Sequence, residues 1–186
     1  MSITIRKGTP SDLSQVFELV KELAEYEKAL HEVENSVERM TEDAFGENPI
    51  FEFFVAEANG KIEGTAIFYY RYSTWKGKAV YLEDLVVREA KRGAGIGKKL
   101  LDAIVQEAKN VDARQVMWQV LDWNEPAINF YKKLGADLDE AWINCKLEYK
   151  QIQEYQTSWS KVLKAANLPG NASPAFFCNL GACWPK

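Results

Sequence analysis

Residues 81–104 read YLEDLVVREAKRGAGIGKKLLDAI. The apolar run Leu85-Val86-Val87 leads into a glycine-rich loop, and Leu100, Leu101 and Ile104 recur at helical spacing on the way out. A strand, a tight loop and a helix are therefore required here. The loop brings successive backbone N–H groups and the positive end of a helix to one point, which makes an anion site. Spacing then excludes two phosphate loops. The dinucleotide fingerprint needs glycine at 98 and meets Lys98, while the nucleoside-triphosphate loop needs glycine at 92 and serine or threonine at 99, and meets Arg92 and Lys99.

The chain around this unit reads as one α/β domain. Residues 2–6 alternate like a short strand. Thr9-Pro10-Ser11-Asp12 is a helix start, and Leu13, Val16, Phe17, Val20, Leu23 and Ala24 carry an amphipathic helix to about residue 28. A second short helix is expected near residues 36–45. Residues 51–57 and 61–72, parted by Asn59-Gly60, form a hairpin, and another strand spans residues 78–87. A helix over residues 97–110, a strand over 114–121, a helix over 125–134 ended by Gly135, and a last strand over 141–149 complete the pattern. An antiparallel hairpin followed by alternating strands and helices gives a mixed sheet with helices on both faces.

With 47% hydrophobic residues, 27% charged residues and a net charge of −4, the composition is that of a soluble globular protein with no preference for nucleic acid; a cationic or amine-bearing substrate suits the charge better. Cys145, Cys178 and Cys183 fit no zinc or disulfide framework, so no metal is expected and a reducing compartment, the cytoplasm, is. No stretch has the length of a membrane span or the form of a signal peptide. His31, the single histidine, supports neither a metal nor a Ser/His pair. Residues 165–185 carry no charge, and residues 156–186 are set apart as a C-terminal extension beside a domain of residues 1–155.

Arg92-x-x-Gly95-x-Gly97 resembles the R/Q-x-x-G-x-G/A loop of the GNAT acetyltransferase superfamily, and Asn124-Glu125-Pro126-Ala127-Ile128-Asn129-Phe130-Tyr131 with Gly135-Ala136 is similar to its N-x-x-A-x-x-F/L-Y-x-x-x-G-F/A element. The runs KELAEYEK, FGENP, YSTWKGKAVYLEDLVV and VLDWNEPAINFYKKLGA narrow the likeness to the diamine acetyltransferase group over residues 3–149. The resemblance implies a mixed, mostly antiparallel sheet with a splayed, V-shaped cofactor cleft. It implies a homodimer too, for which the aromatics of residues 51–72 offer an interface.

It also implies acetyl-coenzyme A as co-substrate, held by Leu85, Val86, Val87, Arg92, Gly93, Ala94, Gly95, Ile96, Gly97 and Lys98 and, downstream, by Asn124, Glu125, Pro126 and Ala127. The acetyl group would pass directly to a primary amine in a ternary complex. Tyr26, Glu27, Glu83, Met117, Trp118, Gln119 and Glu140 would line the amine's cleft. Polyamine enzymes of the group carry an aspartate shortly before the tryptophan, where this chain has Ser73 before Trp75, which points to thialysine or a lysine-like amine.

An amine with a pKa near 10 exposes its lone pair in about one molecule per thousand at neutral pH, so a base is needed. Alternation along a strand sends Glu83 and Asp84 to opposite faces, and the resemblance favours Glu83 as the residue facing the cleft. Read alone, Glu83 is equally a strand carboxylate paired with a lysine. Tyr131 is the expected acid for the leaving thiolate, although its helical spacing from Ile128 also suits a core position. Two other readings stay open, a GNAT-like module that senses acetyl-coenzyme A or an amine without turnover, and an enzyme acting on a peptide amine.

Overall fold

The structure is a computed structural model that describes residues 2–157. The uncharged tail, with Cys178 and Cys183, lies outside the described residues. Contacts divide the chain into two units, Met1–Phe130 and Tyr131–Lys186.

The first unit is built on a five-stranded sheet in the order β1 (Thr4–Lys7), β2 (Glu52–Ala58), β3 (Lys61–Ser73), β4 (Gly77–Val87) and β5 (Gln115–Met117). The first four strands pair antiparallel and β5 joins β4 in parallel, so the sheet is mixed and mostly antiparallel. Asn59 and Gly60 turn the β2–β3 hairpin with φ of 52° and 75°, the positive pair of a two-residue turn whose twist matches its strands. The tight β3–β4 turn is closed by Ser73, whose Oγ accepts from the amides of Trp75 (3.3 Å) and Lys76 (3.2 Å).

Helices cover both faces. On one, α1 (Leu13–Tyr26) and α2 (Val37–Phe45) bury Leu13, Val16, Leu19, Met40 and Ala44 against Phe53, Val55, Ile62, Ile67 and Val86. On the other, α3 (Ile96–Asn110) buries Ile96, Leu100, Leu101, Ile104 and Ala108 against Ala56, Ala66, Phe68, Val80 and Leu82. The start of α1 is fixed by Asp12, whose carboxylate accepts from Thr9 N (2.8 Å) and from Arg6 Nη1 (2.7 Å) and Nη2 (2.8 Å). The Arg6 guanidinium lowers the Asp12 pKa to about 2. The helix α4 (Glu125–Lys133) follows, running from the first unit into the second.

In the second unit α4 ends as expected, with Gly135 at φ 79° and its amide bonded to Lys132 O (3.0 Å). Two expectations fail. The strand anticipated over residues 114–121 is reduced to Gln115–Met117, and none forms over residues 141–149, where Tyr149 instead begins the short helix α5 (Tyr149–Glu154). Alternation along Ile143, Cys145 and Leu147 reads as a strand, but a strand is stable only on a ladder, and among the described residues this stretch has none.

Candidate active site

The centre of the site is an irregularity in β4. Phe68 pairs with Leu82 while the preceding residue, Ile67, pairs with Asp84, so Glu83 is an extra residue in the strand. Before it, Val80 and Leu82 face α3. After it the phase reverses, and Val86 faces α1 while Leu85 and Val87 lean toward α3.

The bulge corrects the expectation that Glu83 and Asp84 point to opposite faces. Strict alternation requires that; an extra residue cancels it, and both carboxylates turn toward the α1 side. Asp84 feels Glu83 and Glu27, at the end of α1, as like charges. Burial chiefly, and then those charges, raise its pKa to about 6. Burial raises the pKa of Glu27 as well. The pKa of Tyr69 is raised by burial and then by the nearby Glu83 charge.

Pairing between β4 and β5 ends at Tyr81 opposite Met117, yet β4 continues to Val87. The edge from Leu82 onward therefore has no strand beside it among the described residues. This is the expected splay, and Trp118 and Gln119 leave β5 at the level where β4 bulges. Open α/β sheets take ligands where parallel strands part.

At the far end of β4 lies the glycine loop. Gly93 (φ 79°) and Gly95 (φ 76°) hold backbone conformations that side chains disfavour, and Gly95 caps α3 without a side chain. The first backbone bond of α3 runs from Lys99 N to Gly95 O (3.2 Å), which leaves the amides of Ile96, Gly97 and Lys98 directed out of the helix start. A pyrophosphate fits such a set of donors.

Arg88 secures the loop's base. Its amide and Nε donate to Glu63 O (2.9 Å) and Ile62 O (3.0 Å), and its guanidinium pairs with Glu22. Glu63, itself an extra residue where β3 shifts register against β2, is buried with Lys91 Nζ at 3.5 Å.

The downstream motif meets this loop through Tyr26. Asn124 caps α4, its Oδ1 accepting from Ala127 N (3.3 Å) and from the Tyr26 hydroxyl (3.2 Å). The Arg92 guanidinium lies 4.9 Å from the centre of the Tyr26 ring, and Trp123 packs against that ring at 5.7 Å.

The profile of the acetyltransferase (GNAT) family matches residues 15–136. This chain belongs to that family. It is 41% identical to a thialysine N-epsilon-acetyltransferase of Mus musculus over 164 residues, covering 82% of this chain and 96% of the mouse protein. A human spermidine/spermine N(1)-acetyltransferase-like protein is 36% identical over 148 residues, 74% of this chain and 21% of that one. Among solved structures, an integron cassette protein from V. cholerae superposes with a TM-score of 0.69 at 22% identity, covering 83% of this chain and 97% of that one. An aminoglycoside N-acetyltransferase in complex with CoA gives 0.59 at 22% identity, covering 78% and 99%. The activity class of this GNAT chain is that of an N-acetyltransferase.

Within this GNAT site the first unit gathers Tyr26, Glu27, Glu83 and the loop from Leu85 to Lys98 around the splay, with Met117 paired to β4 and Asn124 bonded to Tyr26. Ser73 is not gathered with them. It sits at the β3–β4 turn opposite Gly77, six residues up the strand from Glu83 and so roughly 20 Å away in the same chain. In the second unit Tyr131 is buried, and burial pushes its pKa up to about 12, whereas Glu140 is exposed. Asp84, Arg88 and Trp123 were not anticipated. For Asp84 the signal was its own oddity, a second carboxylate in an apolar strand.

Proposed function

We propose that the chain acetylates a primary amine of a small cationic substrate, with acetyl-coenzyme A as donor, by direct transfer in a ternary complex. Thialysine, a lysine-like amino acid or a short diamine fits best. The reading rests above all on Glu27, Glu83 and Asp84, three carboxylates brought to one face beside the opening between β4 and β5. Such a cluster stabilises an ammonium group more than any neutral ligand.

Acetyl-coenzyme A, when bound, supplies an acetyl carbon activated as a thioester; the amine nitrogen bonds that carbon as its bond to sulfur breaks. Arg92 and the amides at the start of α3 hold the pyrophosphate, and the Asn124 amide faces the pantetheine arm. Glu83 binds the ammonium and takes its proton, directly or through a water. Asp84 stands beside it as a carboxylate above pH 6. The edge of β4 after the bulge presents backbone N–H groups toward the thioester carbonyl.

Tyr131 serves the departing sulfur. At a pKa of about 12 it is fully protonated at neutral pH, but it holds its proton well above a thiol's range near 8.5. Complete transfer to the thiolate would be uphill by about 5 kcal/mol, so Tyr131 stabilises the developing charge as a hydrogen-bond donor. The enzyme acts in the cytoplasm as a homodimer.

Thialysine, lysine, putrescine, spermidine and glutamate, assayed for free thiol released from acetyl-coenzyme A, test the substrate class. Turnover is expected with the cationic amines and none with glutamate. Activity with no cationic amine would overturn the substrate reading.

A further inference from the structure

Tyr26, the last residue of α1, touches both cofactor motifs. Its ring lies under Arg92 of the glycine loop, and its hydroxyl bonds Asn124 of the downstream element, 98 positions away in sequence.

The bond to Asn124 has a definite sense. A backbone N–H can only donate, so the Asn124 atom facing Ala127 N must be the carbonyl oxygen, Oδ1. The Tyr26 hydroxyl then donates to that same oxygen. With Oδ1 engaged twice, the amide cannot turn over without breaking both bonds, and Nδ2, the donor end, is directed away from Tyr26 and Ala127. An amide donor is what the carbonyls of a pantetheine arm need. At the same time, a guanidinium resting on an aromatic face keeps its rim of N–H groups available in the ring's plane-parallel directions, which suits a phosphate.

We propose that Tyr26 is a positioning residue for the cofactor: it fixes the sense of the Asn124 amide with its hydroxyl and steadies Arg92 with its ring. This rests on the reading of the loop and Asn124 as an acetyl-coenzyme A site. Tyr26 borders Glu27 at the amine's end of α1, so one side chain sets both cofactor motifs from the substrate side of the cleft.

The test is calorimetric titration of coenzyme A, without amine, into the wild type, Tyr26→Phe, Tyr26→Leu, Asn124→Ser and the double variant Tyr26→Phe/Asn124→Ser. Phenylalanine keeps the ring and loses the hydroxyl; serine keeps a cap for α4 and loses the amide. Tyr26→Phe should weaken binding about five-fold, the usual worth of one hydrogen bond, and Tyr26→Leu further. The double variant should bind no worse than Asn124→Ser alone, because the hydroxyl acts through that amide. Equal affinity of Tyr26→Phe and wild type, or losses that multiply in the double variant, would overturn the proposal. Should any variant fold poorly, Tyr26→Phe alone still decides it. Failure of the wild type to bind coenzyme A would instead overturn the cofactor reading beneath it.

Discussion

Glu83 and Asp84, adjacent in the sequence of a β-strand, lie on the same face of the sheet because Glu83 has no partner on β3. Two carboxylates thus meet Glu27 in one place, and the fold bears the repulsion.

That strain predicts opposite effects of Asp84→Asn on stability and activity. A carboxyl whose folded pKa, about 6, lies above its unfolded value favours folding below the unfolded value and loses that contribution as pH rises through 6. Asp84→Asn should therefore stabilise the chain at pH 8 by roughly 1–3 kcal/mol, with the gain gone by pH 4. Acetylation should fall, since the cluster holding the ammonium loses a charge. Urea unfolding of both proteins at both pH values checks the sign, and a gain over the wild type no larger at pH 8 than at pH 4 would refute it.

For Glu83→Gln the expected loss in kcat is about 10² or more, the span of a general base, and raising the pH should partly restore the rate by deprotonating the amine in solution. If Asp84→Asn reduced kcat as far and Glu83→Gln did not, the base would be Asp84. Steady-state rates between pH 6 and 10 separate the two.

Tyr131→Phe should lower kcat by about ten- to a hundred-fold with the amine KM little changed, as befits a donor needed only at the departing sulfur. Because Tyr131 stays protonated up to about pH 12, it contributes no alkaline fall in rate below pH 10. A fall that appears in the wild type and disappears in the variant would contradict this.

The glycines of the loop differ in what they need. Gly95 sits at φ 76° with open space around it, so Gly95→Ala should cost about 1–2 kcal/mol through backbone strain alone and weaken coenzyme A binding. Gly97 is helical, and a Cβ there would meet Val87 Cγ2 at an ordinary 3.8 Å. Gly97→Ala should be neutral or stabilising by about 0.5–1 kcal/mol. Thermal melts with and without coenzyme A compare them.

Below pH 4 the Arg6–Asp12 pair should dominate acid sensitivity. With its pKa lowered to about 2, Asp12 contributes stability that is present above its unfolded value near 4 and lost as pH falls through 2. Asp12→Ala should cost about 2 kcal/mol at pH 7 and much less at pH 2, read from denaturant midpoints.

The sequence exposed those parts of the molecule governed by local rules. Helical spacing from Leu13 to Ala24 marked α1, positive-φ residues at Asn59-Gly60 and Gly135 marked a turn and a helix end, and the loop from Arg92 to Gly97 lies at the start of α3 as expected. What escaped depends on partners distant in sequence. The bulge at Glu83 exists only in the register of β4 against β3, so alternation placed Asp84 on the wrong face. Residues 141–149 carry the pattern of a strand without a neighbour to pair with. Ser73 pointed to a substrate class through a family pattern, yet the hairpin carries it to the far end of β4.

The extra residue in β4 acts as a shift of reading frame inside one strand. Ahead of it, even-numbered positions such as Val80 and Leu82 are written to the α3 core; behind it, Val86 is written to the α1 core. Deleting Glu83 would restore a regular ladder and leave every later assignment as it is, with Asp84 and Val86 toward α1 and Leu85 and Val87 toward α3. No single substitution does that. The carboxylates at the shift can therefore be varied one at a time, to suit a different amine, without disturbing either core, whereas a residue inserted after the shift would exchange the assignments of Leu85, Val86 and Val87.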